Sequence, residues 1–332
     1  MPIALAIALT LSLFPWSPQT DDAPGTVRLL VADDVSIGPA DAGEASDGDS
    51  RWHRVEVPIR GSVEQTAASL AAESGSRVIV EQRYELLAPE DDPRFAEQWY
   101  LENGGQSGGV PDADIDALTA WGSGLGNGIV VAVIDSGVNM AHTDLVGQIH
   151  SARRDFVDND NNPSPSGTTD DEGHGTAVAG IIAAAENGLG ITGVAPEATI
   201  MAIRSCSQGA CWSFDIAEGI YYAADNGADV INLSLGSVTP QGDEPLEDAI
   251  AYARSRDVVV VAAAGNSGTN LDDLDPGEQL IPGGLPFSNI LTVGATNRRD
   301  NLAGFSNYGP GVVDIAAPGV DILTTGISSN TS

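Results

Sequence analysis

Five short runs between residues 129 and 295 restrict this chain more than anything else in it. They are "IVVAVID" (129–135), "TIMAIR" (199–204), "DVINLSL" (229–235), "VVVVAAA" (258–264) and "ILTVGA" (290–295). Each is apolar throughout, without the in–out alternation of a strand that has one wet face. Between them lie segments with helical spacing: "HGTAVAGIIAAA" (174–185), "FDIAEGIYYAADNG" (214–227) and "PLEDAIAYARSR" (245–256). Strands buried on both faces and separated by helices predict an α/β fold, a doubly wound parallel sheet with helices on both faces.

A different pattern precedes this region. "WHRVEVPI" alternates as a half-buried strand does, and "SVEQTAASLAAESG" carries Ser62 and Gln65 at capping-box spacing. Val63, Ala67, Leu70 and Ala71 fall on one face of that helix, which Gly75 ends, and "RVIVEQRYELL" reads as a further strand. With the apolar "TVRLLVA" (Thr26 to Ala32) these segments predict a small α+β unit over residues 23–88. The stretch from Ala88 to Gly109, rich in Pro, Gly and acids, is expected to be exposed, as a linker and processing site. "GSGLGNG" (122–128) precedes a strand instead of joining a strand to a helix, so it reads as a turn and not as a nucleotide loop.

The first residues hold a twelve-residue apolar run, Ile3 to Phe14, broken by Pro15. This is too short to span a bilayer. Its length suits a signal peptide over residues 1–22, although no Lys or Arg precedes it; the alternative is a buried hydrophobic segment. The two cysteines, Cys206 and Cys211, lie five residues apart in a polar loop. They suit a small disulfide ring in an oxidising compartment, with two free thiols as the other reading.

The chain has 47 acidic residues against 14 basic ones, all of them arginine, for a net charge of −33. Such a surface repels phosphate backbones and anionic membranes, which argues against nucleic acid as a partner and for solubility in salt.

In a doubly wound sheet, functional groups gather at the C-terminal ends of the strands. Asp135 ends one such strand. His174, between two glycines in "DDEGHGTAVAG", reads as the opening of a helix, where the dipole disfavours imidazolium. Asn266 closes "VVVVAAAGN", where a side-chain amide can donate to a developing oxyanion. An Asp, a His and an amide donor in that chain order match one of the known orders of the serine-hydrolase triad.

Taken with their neighbours, "VVAVIDSGVN", "GHGTAVAGIIAA", "ADVINLSLG", "VVVAAAGN" and "SNYGPGVVDIAAPGVDIL" resemble the successive blocks of the subtilisin-like serine peptidases (subtilases, peptidase family S8). The resemblance covers residues 93 to 323. It implies a catalytic domain over 89–332 and a pro-domain over 23–88 that inhibits the enzyme until it is cut away. It also implies a secreted endopeptidase hydrolysing peptide bonds in protein or peptide substrates, with no membrane partner after processing. Asp135 would orient His174, His174 would act as base and then acid, and Asn266 would stabilise the oxyanion. The segments Ser234, Leu235, Gly236 and Ala263, Ala264, Gly265 would bind the substrate strand.

"DFVDNDNNPS" resembles a structural calcium loop of thermostable relatives, with Asp155, Asp158, Asp160 and Asn162 as oxygen ligands; an Asp/Asn-rich solvated turn is the other reading. The family's serine block, "GTSMA", is expected beyond Ser332. "NTS" at the end replaces its glycine by asparagine and has no helix after it, so Ser332 is not expected to be the nucleophile and residues 1–332 alone are expected to be inactive. A non-catalytic protein that binds peptides in the retained groove is the alternative.

Overall fold

Why the five apolar runs become neighbours is seen in the side chains of one interior strand. A computed structural model describes residues 26–32, 52–80, 92–167, 170–240 and 242–327. The chain divides between Leu86 and Leu87 into two compact units.

The first unit contains β1 (Thr26–Ala32), β2 (Trp52–Pro58), α1 (Val63–Ser74) and β3 (Val78–Val80). The strands form an antiparallel sheet in the order β2-β1-β3. Helix α1 begins with the capping box read from the sequence: the Ser62 hydroxyl accepts the Gln65 N–H while the Gln65 side chain accepts the Ser62 N–H. It ends at Gly75 in the left-handed conformation. Leu29, Val31, Val55, Val63 and Ala67 make the unit's own small core. The expected strand 77–87 is seen from Val78 to Val80; residues 81–87, the N-terminal run 1–22 and Ser332 lie outside the described residues.

The second unit contains, in chain order, α2 (Ala117–Trp121), β4 (Val130–Asp135), β5 (Arg154–Asp155), α3 (Asp170–Ala183), β6 (Thr199–Arg204), β7 (Cys206–Ser207), β8 (Ala210–Cys211) and α4 (Ser213–Asp225). It continues with β9 (Val230–Leu233), β10 (Ser237–Thr239), α5 (Glu244–Ser255), β11 (Val259–Ala263), β12 (Gln279–Ile281), β13 (Ile290–Thr296) and β14 (Ile315–Pro318). Seven strands form one parallel sheet in the order β14-β13-β11-β9-β4-β6-β5. All five strands expected from the sequence are in it.

Successive residues of a strand face opposite ways. Along β4, Val131 and Val133 pack with Ala179 and Ala183 of α3. Ala132 and Ile134 face the other layer, with Ile216 and Ile220 of α4 and Leu246 and Ile250 of α5. Two apolar faces explain the unbroken apolar runs, and they fix the doubly wound architecture.

Two expectations need correction. The stretch 88–109 is not simply exposed: Phe95, Trp99, Tyr100 and Leu101 are buried and pack with Ala117, Ile322 and Leu323. Its composition hides four large apolar side chains among acids and glycines. Helix α3 begins at Asp170, so His174 is its fifth residue instead of its first.

Candidate active site

The C-terminal end of β4 meets helix α3 at a close approach. A Cβ on Gly175 would lie 2.4 Å from the Gly137 carbonyl oxygen and 3.0 Å from Asp135 Cβ, so a larger residue would push helix and strand apart. That approach brings His174 Nδ1 to 2.8 and 2.9 Å from the two oxygens of Asp135. Asp135 is buried and also accepts the Ser136 N–H at 2.7 Å. The Ser136 hydroxyl in turn accepts the Gly175 N–H at 3.1 Å. With Nδ1–H donated to the carboxylate, the imidazole carries its lone pair on Nε2, the arrangement a general base requires. The His174 side chain is half exposed while that of Asp135 is 4 % exposed. A buried acceptor thus orients a base that substrate can reach.

The pair opens on a cavity of about 910 Å³. Ser234, Leu235 and Gly236 line it on one side, and Ala263, Gly265 and Asn266 on another. Of the expected substrate-binding residues only Ala264 does not line it; it is buried, with its N–H donated to Val293 O at 2.9 Å. Asn266, just beyond β11, is exposed. Cys206 and Cys211 are joined in a disulfide and form part of the cavity wall.

The acidic loop differs from a calcium cage. Asp155 Oδ2 and Asp158 Oδ2 both accept from Arg204 Nη1, at 2.8 and 2.6 Å, and Asp155 Oδ1 accepts the N–H groups of Val157 and Asp158. Asp160 Oδ1 accepts the Asn162 N–H and Asn162 Oδ1 accepts the Ser164 hydroxyl. A guanidinium therefore supplies the positive charge that the sequence reading gave to a metal ion. Burial by itself would lower the pKa of Arg204; hydrogen bonds and charge from Asp155 and Asp158 outweigh it and raise the value. Among the described residues no group of three or more His, Cys, Asp or Glu side chains could hold a metal ion, and these four residues as placed do not fit calcium.

Sequence reasoning passed over several buried polar residues. Asp144 is fully buried and its Oδ1 has no hydrogen-bond partner among the described residues. Burial raises its pKa, and the charge of Asp92 adds to this, while the Ile191 N–H and His142 act the other way. Asp92 gathers the N–H groups of Asn187, Gly188 and Leu189 on Oδ1 and the Thr192 hydroxyl on Oδ2. Asn307 bonds to the loop around Asn266. None of these side chains sits in a motif that spacing alone would mark.

A parallel sheet flanked on both faces carries an oriented Asp–His pair and an amide-bearing loop around one cleft, where a doubly wound sheet gathers its functional groups. Residues 126–332 match the model of the Peptidase S8 subtilase family. Thermitase of Thermoactinomyces vulgaris is 42% identical over 214 residues, which cover 64% of this chain and 70% of thermitase. A thermophilic serine proteinase of Bacillus sp. (strain AK1) is 44% identical over 209 residues, 62% of this chain but only 48% of that protein. Among solved structures, a cold-adapted subtilisin-like serine proteinase superposes with a TM-score of 0.54 at 29% identity, covering 70% of this chain and 76% of that one. The chain belongs to the subtilase family.

Proposed function

We propose that this chain is part of a secreted serine endopeptidase that cuts peptide bonds by an Asp/His/Ser mechanism. The observation that carries the reading is the Asp135–His174 pair, held at 2.8 and 2.9 Å at the mouth of a peptide-sized cleft. In this mechanism His174 Nε2 takes the proton of a serine hydroxyl as its oxygen attacks the scissile carbonyl carbon. Asn266 donates its amide to the oxyanion that forms. His174 then passes the proton to the departing amine, and water hydrolyses the acyl-enzyme by the same route in reverse. Asp135 does not itself change protonation; it stabilises the imidazolium. The serine is not assigned to any described residue.

The first unit, with its own core, is proposed as the inhibitory pro-domain. The apolar run at the N-terminus and the Cys206–Cys211 disulfide support export; among the described residues no helix is long and apolar enough to cross a membrane.

The test compares the gene product that contains this chain with its His174→Ala variant, using casein hydrolysis and labelling by a fluorophosphonate probe. The expected result is a labelled serine and a loss of turnover on the order of 10⁴-fold or more in the variant, subtilisin itself being the type case for this magnitude. Hydrolysis that survives His174→Ala would overturn the mechanism. Peptide binding with no hydrolysis by the unaltered protein would favour the non-catalytic reading.

Calcium is not proposed for the loop that Arg204 neutralises. Among the buried side chains of the described residues, the carboxylate oxygen without a hydrogen-bond partner is Asp144 Oδ1, and a hard cation bound there would take up its charge and that of Asp92. Calcium is then expected to raise the melting temperature of the unaltered protein and to have a smaller effect on Asp144→Asn. An equal response in both proteins would remove the assignment.

A further inference from the structure

We infer that Asn307 is a positioning residue for the oxyanion amide: it sets where Asn266 points without touching the substrate. The inference rests on the role proposed above for Asn266. Asn266 follows β11 in a loop that belongs to no helix or strand. What fixes that loop is the side chain of Asn307, which is 3 % exposed. Its Oδ1 accepts the N–H groups of Ser267 and Thr269, both at 3.0 Å. Its Nδ2 donates to Ala264 O at 2.8 Å, and its backbone N–H donates to Gly265 O at 2.9 Å. One buried amide therefore bonds to the main chain on both sides of Asn266.

The surroundings hold Asn307 in turn. The neighbouring Ser306 hydroxyl accepts the Ala295 N–H of β13 at 2.8 Å and donates to Asn307 O at 2.9 Å. Gly268 N–H to Phe305 O at 2.7 Å and Tyr308 N–H to Thr269 O at 3.0 Å complete the seam. The glycine before Asn266 is required by the same contact. Gly265 has φ +97°, and a Cβ there would lie 2.6 Å from Asn307 Nδ2. The position of Asn266 thus runs back through Asn307 and Ser306 to a strand of the central sheet. A donor to a transition state must be held in place before the reaction, and a displacement of about 1 Å can cost about 10²-fold in rate.

The experiment is a double-mutant cycle on the gene product containing this chain, reading kcat and KM on a chromogenic peptide substrate. Asn307→Ala removes the clamp. Asn307→Asp keeps the Oδ1 acceptor and loses the donor to Ala264 O, and melting curves confirm that each variant is folded. Both are expected to lower kcat by roughly ten- to a hundredfold, less than Asn266→Ala itself, with KM changed by about twofold or less. In the Asn266→Ala background the same substitutions are expected to cost almost nothing further, since there is no amide left to aim. A KM increase at constant kcat, or an undiminished kcat loss in the Asn266→Ala background, overturns the inference. If Asn266→Ala leaves kcat unchanged, the oxyanion role fails and the inference with it. If the unaltered protein hydrolyses nothing, the peptidase reading fails first.

Discussion

His174 and Asp135 are 39 positions apart in sequence, and a glycine next to His174 allows them to meet. Gly175 lets α3 lie against the end of β4, and Gly137, with φ +103°, has a Cβ position only 2.5 Å from Pro163 O. Tyr100 is likewise held by a contact far along the chain. Its hydroxyl donates to Leu323 O at 2.8 Å and accepts from Gln98 Nε2 at 2.6 Å, and burial pushes its pKa up to about 12. A group whose folded pKa lies above its unfolded value of 10.0 contributes stability that is complete below pH 10 and is lost as pH rises towards 12. Tyr100→Phe is accordingly expected to be less stable at neutral pH but to have a flatter stability profile between pH 10 and 12. The difference between the two proteins should shrink by up to about 2 kcal/mol across that window, as read by urea unfolding at fixed pH values. Parallel profiles would show that the hydroxyl does not set the alkaline limb.

Among the elements, the hydrophobic periods were the most legible. Unbroken apolar runs gave β4, β6, β9, β11 and β13 to within two residues at each end, because burial on two faces leaves no position free to be polar. Helix α1 was legible from Ser62, Gln65 and Gly75, whose chemistry is local. The edge strands β5 and β14 were not, since their partners lie tens of residues away and neither has a distinctive pattern. The acidic loop after β5 shows the limit of motif reading: Asp155, Asp158, Asp160 and Asn162 have the composition of a cation site, and the cation supplied is Arg204 from the end of β6. Replacing that arginine would leave Asp155 buried and uncompensated. Arg204→Met is therefore expected to destabilise the protein by about 3–5 kcal/mol in urea unfolding, with part of the loss recovered in the double variant with Asp155→Asn. A loss below about 1 kcal/mol would mean that the pair is no more than a surface contact.

For the whole molecule the dominant quantity is charge. A net −33 spread over 332 residues produces self-repulsion that opposes the compact state and that salt screens. Raising sodium chloride from about 0.1 M to 1 M shortens the screening length from about 10 to 3 Å, so the melting temperature is expected to rise by several degrees. A flat or falling melting temperature would show that the acidic surface is not destabilising at low salt. The sequence by itself determined the parallel sheet and the small N-terminal unit and singled out Asp135, His174 and Asn266 as candidates, because hydrophobic period, capping chemistry and motif are written in neighbouring residues. The tertiary structure decided what those residues touch. The contact of His174 with both oxygens of Asp135, the guanidinium in the acidic loop and the clamp of Asn307 on the Asn266 loop all join positions far apart in the chain. Such contacts depend on how helices and strands stack, and no local pattern of residues encodes that.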